Sequence, residues 1–361
     1  MRIVCAMSGG VDSSVAAALL KEEGHEVIGV HMKLHEAEGG GPGHCCGLDD
    51  AWDARRVADT LEIPFYVMDL RQAFQEAVVD DLVKSYVAGF TPNPCVQCNG
   101  VLKFHVLLRR AMALGAEAIA TGHYARTEDG RLFAAVDGDK DQSYFLHPVT
   151  AEALRKTRFP LGGFSKPEVR AHARRLGLIT AEKAESMEVC FIPDHDHARF
   201  VAEARPELDG AGDIVDGEGK VLGRHDGYWR YTLGQRRGLG LAGGPWYVLE
   251  VDAARARVVV GTEAGLASTS ILARGPNWLR PRESLLGRPL HARVRHRGAL
   301  APCTIVSAEP LEIALSAPVR AVTPGQSVVV YDGDEVVLGA FIRRASDRPA
   351  PAATAGPAGS P

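Results

Sequence analysis

The first group of residues able to do chemistry is Ser8-Gly9-Gly10-Val11-Asp12-Ser13-Ser14, which lies between an apolar run, Ile3–Met7, and a helical pattern. Paired glycines let a backbone turn tightly and approach a phosphate. Serine hydroxyls donate to phosphate oxygens, and the N-terminus of the following helix adds partial positive charge. The loop therefore reads as an anion cradle for a nucleotide. It lacks the Gly-Lys-Ser/Thr ending of a Walker loop and is not a Gly-x-Gly-x-x-Gly turn. Asp12 offers either a magnesium contact or a helix cap.

Sulfur is the second group. The seven cysteines are Cys5, Cys45, Cys46, Cys95, Cys98, Cys190 and Cys303. An odd number, sparsely spread and without a signal sequence, points to metal binding or thiol chemistry rather than to a disulfide framework. Cys5 and Cys303 fall in apolar strand patterns and read as core. Cys95-x-x-Cys98 fits a redox pair, half a zinc site or part of an iron–sulfur site, and Cys190 supplies a third thiolate. A thiol with a pKa near ~8.5 is only a few per cent ionised at neutral pH, so a reactive cysteine needs an electropositive or helix-terminal setting. Cys98, just ahead of a predicted helix, and Cys190, in a loop between Glu188 and Phe191-Ile192, are expected to have one. His44-Cys45-Cys46 offers a weaker zinc reading against a plain surface loop.

The elements that must position these groups alternate. Strands are predicted at Ile3–Met7, Val27–Met32, Phe65–Leu70 and Ala118–Thr121, with helices at Ser13–Glu23 and near Asp50–Leu61, Phe74–Val87 and Val101–Leu114. Ser165 and Glu168 form a capping box for a further helix. This is an α/β pattern with a parallel sheet, and ligands bind beyond the C-terminal ends of its strands. It defines a catalytic domain over 1–205. A small linking domain with strands at Val248–Val251 and Arg257–Val260 follows over 206–266. From 267 to 345 the pattern is purely β, with strands near Leu290–Arg295, Pro302–Ala308, Glu312–Leu315, Ser327–Tyr331 and Val336–Arg343, and predicts a small barrel. Residues 346–361, ending in Pro349–Pro361, read as a disordered tail.

With 361 residues, 46% hydrophobic and 24% charged, the chain is long enough for two or three domains. Its net charge of −4 hides an asymmetry. Residues 267–361 carry eleven Arg against seven carboxylates, a surplus of four, which leaves −8 on the rest. A basic module on an acidic body suits a polyanion partner, and equally a solvated basic face. No apolar run reaches membrane-spanning length, so a cytoplasmic protein with no membrane partner is expected.

The Ser8–Ser14 loop resembles that of the N-type ATP pyrophosphatases, which split ATP between its α and β phosphates. Downstream, Thr91-Pro92-Asn93-Pro94, Cys98-Asn99, Lys103-Phe104, Ala120-Thr121-Gly122-His123-Tyr124, Lys140-Asp141-Gln142-Ser143-Tyr144-Phe145-Leu146, Cys190-Phe191-Ile192, Thr232–Gly240 and Thr323-Pro324-Gly325-Gln326-Ser327 stand in the order found in the bacterial tRNA-specific 2-thiouridylase family. The resemblance extends to about Arg343. It implies ATP and Mg2+ as cofactors, with Ala6, Met7, Ser8, Gly9, Gly10, Val11, Asp12, Ser13, Met32 and Gly122 binding ATP. It implies Cys190 as the persulfide carrier and Cys98 as the nucleophile or resolving thiol, able to pair as a disulfide. Asn93, Pro94, Cys95, His123, Lys140, Asp141, Gln142, Arg295, His296 and Gln326 are carried over as tRNA contacts. The partners implied are tRNA and a persulfide sulfur-donor protein or cysteine desulfurase.

Two positions depart from the family pattern: Cys95 stands where many members carry Asp, and His296 where Tyr is often found. Because related RNA thiolases hold a three-cysteine iron–sulfur cluster, Cys95, Cys98 and Cys190 are also candidate ligands of a [4Fe-4S] cluster. The activity the resemblance implies is ATP-dependent 2-thiolation of a tRNA wobble uridine, by adenylation of its C2 oxygen and sulfur transfer from a cysteine persulfide. Two other readings accompany it: an iron–sulfur thiolase acting at another tRNA position, and a non-catalytic, metal-stapled RNA-binding protein.

Overall fold

The computed structural model describes residues 1–35, 48–184, 189–192, 194 and 196–347. His44-Cys45-Cys46, Glu188 and Pro349–Pro361, each given a reading above, lie outside the described residues.

Strands β1 (Arg2–Ala6), β2 (Glu26–Lys33), β3 (Phe65–Asp69) and β4 (Ala118–Ala120) pair in parallel. A hairpin, β5 (Ala125–Glu128) and β6 (Arg131–Ala134), follows, and the short β7 (Thr157–Arg158) completes a five-stranded sheet of order 3-2-1-4-7. Alternation along β1 explains its two-sided burial. Ile3, Cys5 and Met7 pack with Val15 and Leu19 of helix α1 (Val11–Glu22) and Val57 of α2 (Leu48–Thr60). Val4 and Ala6 pack on the other face with Leu107 and Ala111. Cys5 and Cys303 are buried core residues, as the apolar patterns around them predict.

Two long helices differ from expectation. Helix α3 runs over 71–87 through a π-helical stretch, Gln75–Val79. Helix α4 runs over 94–113, again with a π stretch, Cys98–Leu107. It starts seven residues earlier than its apolar periodicity indicates, because Pro94 serves as a first helical residue. Cys95 and Cys98 therefore stand within the first turns of α4. Helix α5 (Lys166–Arg175) carries the predicted Ser165–Glu168 capping box and packs on α1 through Val169 and Ala173.

Helix α6 (His197–Ala204) precedes the linking sheet of β8 (Gly212–Val215), β9 (Val221–His225), β10 (Tyr247–Asp252) and β11 (Arg257–Gly261), in the order 10-11-8-9. Its core takes in Leu82 and Tyr86 of α3 as well as Val201 of α6. The C-terminal strands are β12 (Ala267–Trp278), β13 (Leu290–Arg293), β14 (Ala301–Ala308), β15 (Leu311–Arg320), β16 (Ser327–Asp332) and β17 (Glu335–Ile342). They run in the order 12-15-14-13-16-17 and close into a six-stranded barrel by β12–β17 pairing. The hairpin β5–β6 extends this sheet, with Leu132 and Phe133 registered on Val336 and Glu335. No described helix is long and apolar enough to cross a membrane.

Candidate active site

A cavity of about 380 Å³ opens where the phosphate loop leaves β1. Of the residues expected at ATP, Ala6, Met7, Ser8, Gly10, Val11, Asp12, Ser13, Met32 and Gly122 line it. Gly9 is not among the residues that line it, and its backbone shapes the loop. At φ +81° it turns the loop, and a Cβ there would lie 2.2 Å from the Asp50 carbonyl oxygen at the start of α2. A Cβ on Gly122 would lie 2.7 Å from the Ser13 nitrogen, so β4 and α1 approach as closely as backbones can. The serines bond within the loop. Ser13 and Ser14 donate to the Gly10 carbonyl at 3.2 and 2.8 Å, while Ser8 N–H donates to Ser13 Oγ at 3.1 Å. These bonds hold the loop in shape.

Asp12 is likewise already engaged. Its carboxylate accepts from Lys166 Nζ at 2.7 and 2.9 Å and from the Tyr124 hydroxyl at 2.8 Å. On the neighbouring wall Lys183 Nζ donates to Asp50 at 2.7 Å and Asp53 at 2.6 Å. Burial opposes the Lys183 charge, but these carboxylates outweigh it and raise its pKa. Neither Lys166 nor Lys183 was singled out by sequence for the site. Lys166 stands in a capping motif that explains its neighbours without it, and Lys183 has no motif around it.

Cys95, Cys98 and Cys190 all face this same cavity. The setting of Cys98 is the reverse of the expected one. It sits inside α4 rather than ahead of it, and burial pushes its thiol up to about 11, against the pull of the Lys103 charge. Cys190 and Cys95 both lie near enough to act on it electrostatically, each raising it further. Among the described residues, no three His, Cys, Asp or Glu side chains group in a way that could hold a metal ion. Cys95, Cys98 and Cys190 share one cavity.

The residues expected at tRNA divide. Pro94, Cys95, His123, Lys140 and Gln142 line the cavity. His123 is kept neutral by burial and by the Lys103 charge, and its Nδ1 lies 2.7 Å from Thr121 Oγ1. Asn93 caps the start of α4 through its backbone position alone. Asp141 points inward at 4% exposure, accepting from Ala135 N, Ser143 N, Ser143 Oγ and Arg293. Its carboxylate organises the 135–143 loop instead of facing solvent. Gln326 gives its amide to the carbonyls of Thr91 at 2.9 Å and Pro92 at 3.3 Å, tying the barrel to the segment before α4. Arg295 is exposed on the barrel, and the His296 ring lies 4.3 Å from that of Phe145.

A family model described as a tRNA methyl transferase HUP domain matches residues 1–194. A tRNA methyl transferase PRC-barrel domain matches 198–262, and an aminomethyltransferase beta-barrel domain matches 268–342. A protein of Geotalea uraniireducens named tRNA-specific 2-thiouridylase MnmA is 53% identical over 359 residues, covering 95% of each chain. The chain belongs to the tRNA-specific 2-thiouridylase family. A second 2-thiouridylase, from Mycolicibacterium smegmatis, is 47% identical over 95% of this chain and all of its own. Among solved structures, a 4-thiouridine synthetase–RNA complex with bound ATP is similar at 17% identity and a TM-score of 0.38, over 57% of this chain and 50% of that one, too distant to carry weight. The 2-thiouridylase assignment rests on the close relatives alone.

Proposed function

We propose that this chain is an ATP-dependent tRNA-uridine 2-sulfurtransferase acting on the wobble uridine. The observation that carries the reading is that the phosphate loop, Cys98 and Cys190 face one cavity. Holding nucleotide, base and sulfur together removes the entropic cost of a three-body encounter. The uridine C2 oxygen attacks the α-phosphorus of ATP, and pyrophosphate leaves. The oxygen, a poor leaving group until then, now departs as AMP. The terminal sulfur of a Cys190 persulfide bonds to C2 as AMP leaves, and Cys98 attacks the Cys190 sulfur. The sulfur–sulfur bond breaks, leaving thiouridine and a Cys98–Cys190 disulfide for a cellular thiol to reduce. In the alternative order Cys98 attacks the persulfide first and releases the hydrosulfide that adds to C2. A persulfide-bearing donor protein or a cysteine desulfurase recharges Cys190.

Asp12, held by Lys166 and Tyr124 in this structure, would on release from Lys166 be the carboxylate to meet a magnesium ion travelling with ATP, which would withdraw charge from the phosphates. The barrel, with its surplus of Arg, and the residues Asn93, Pro94, Cys95, His123, Lys140 and Gln142 suit a flipped anticodon base and its flanking phosphates. Asp141 and Gln326 act behind them, by holding loops.

The test is a reaction with tRNA, ATP and persulfide, following pyrophosphate, AMP and the thiolated nucleoside. Cys190→Ser should still release pyrophosphate and form no thiouridine. Absence of tRNA-dependent pyrophosphate release would leave an RNA-binding protein, and sulfur at another position would leave the other kind of thiolase.

A further inference from the structure

Lys166 is the first residue of α5 and only 8% exposed, yet its ammonium group forms part of the cavity wall beside the phosphate loop. Its backbone is fixed, with the N–H on Asp137 Oδ2 at 3.1 Å and the Ser165–Glu168 box around it. The side chain reaches across to both oxygens of Asp12, in the first turn of α1. The Tyr124 ring lies 5.7 Å from the ammonium, and the Tyr124 hydroxyl donates to the same carboxylate.

This is a poor place for a lysine if stability is its only purpose. Helix first turns favour acidic side chains, and here the first turns of two helices meet with a buried cation between them. The result is a concentration of positive potential on the wall of a cavity, with Asp12 against it. Of the three other lysines of the wall, Lys183 lies between Asp50 and Asp53, Lys103 acts on Cys98 and His123, and Lys140 stands on the loop that Asp141 organises, whereas Lys166 is tied to the phosphate loop through Asp12.

We infer that Lys166 is the phosphate-binding cation of the ATP site. Asp12 holds the ammonium in place while the cavity is without nucleotide. The polyphosphate of ATP, with more charge and more acceptor oxygens than one carboxylate, then takes over the ammonium, which remains on the pyrophosphate as it leaves. No covalent step is needed, since one ion pair replaces another. The inference rests on the ATP-dependent reading above.

Calorimetric titration of the full chain with ATP, AMP and metal-free pyrophosphate tests it. Lys166→Met should weaken ATP and pyrophosphate binding by about tenfold or more, leave AMP within about threefold, and be largely rescued by Lys166→Arg. Because Lys166→Met strands the Asp12 charge, the double variant Asp12→Asn/Lys166→Met, which removes both charges together, guards against a folding failure. It too should lose pyrophosphate affinity. Wild-type pyrophosphate affinity in the double variant, equal losses of ATP and AMP in the single variant, or no pyrophosphate binding by the wild type would each overturn the inference. A wild type that binds no ATP would sink the enzymatic reading itself, whereas normal ATP binding by a folded Lys166→Met sinks only this step.

Discussion

Burial that holds the Cys98 thiol at about 11 leaves only about one part in ten thousand ionised at pH 7. Alkylation of Cys98 by iodoacetamide in the substrate-free protein should therefore rise about tenfold per pH unit from 7 to 10 without levelling off. A plateau near pH 9 would mean an ordinary solvated thiol. Such a thiol stays inert until a substrate alters its surroundings, which suits a residue that resolves a persulfide only after sulfur has been placed. Motif order singled out Cys98 and Cys190, and both line the cavity, but the acidity of Cys98 was not legible. That property depends on what α4 packs against, and the apolar pattern placed the start of α4 near Val101 instead of Pro94. Cys95 separates the two sulfur chemistries. If sulfur moves by persulfide exchange, Cys95→Asp should keep much of the activity. If the three thiols gather around iron, the change should release it and stop thiolation. Iron and sulfide analysis of wild type and variant, purified without oxygen, decides between them.

Single contacts between elements set the site as firmly as the residues inside it. Gln326 of the barrel holds the carbonyls of Thr91 and Pro92, just ahead of the helix bearing Cys95 and Cys98. Gln326→Ala should slow thiolation while leaving ATP affinity unchanged, at a stability cost of about 1–2 kcal/mol for two lost bonds; a parallel fall in ATP affinity would show that the whole site had shifted. Glu335, 4% exposed, takes Arg131 at 2.9 Å and Arg280 at 2.8 Å. Burial raises its pKa, but the two guanidinium groups outweigh that and lower it overall. A carboxyl lowered in this way stabilises the fold above its unfolded pKa, and that contribution is lost as the pH falls through the folded value. Glu335→Gln should therefore cost about 2–3 kcal/mol at pH 7, discounted because both arginines are partly exposed, and flatten the stability profile below about pH 5, as followed by urea unfolding. The strands of the parallel sheet from β1 to β4, most barrel strands and the capping box were readable from period and cap chemistry, whereas the β5–β6 hairpin and β12, which closes the barrel, were not. The π stretches in α3 and α4 were not, because nothing in a 3.6-residue pattern marks a local widening of the helix.

At the scale of the whole molecule, the acidic body and basic barrel predict that tRNA affinity falls steeply with salt. Arg295, exposed on the barrel, should flatten the log–log slope by up to about 1 when changed to Ala, if it meets a phosphate. An unchanged slope and affinity would make this part of the barrel a solvated face. The three-part order was legible because composition and period change along the chain, near 206 and again near 267. The join between the first and last parts was not, since strand pairing across two hundred residues leaves no local trace. There the hairpin β5–β6 lies along β17, with Arg126 and Arg131 reaching Asp334 and Glu335. The barrel is thus a module in sequence but not in hydrogen bonding. Expressed alone it would still close through β12–β17 but leave the Glu335–Val336 end of β17 unpaired and open to other strands, whereas a chain cut between the linking sheet and the barrel should reassemble from its two pieces, the hairpin acting as the splint.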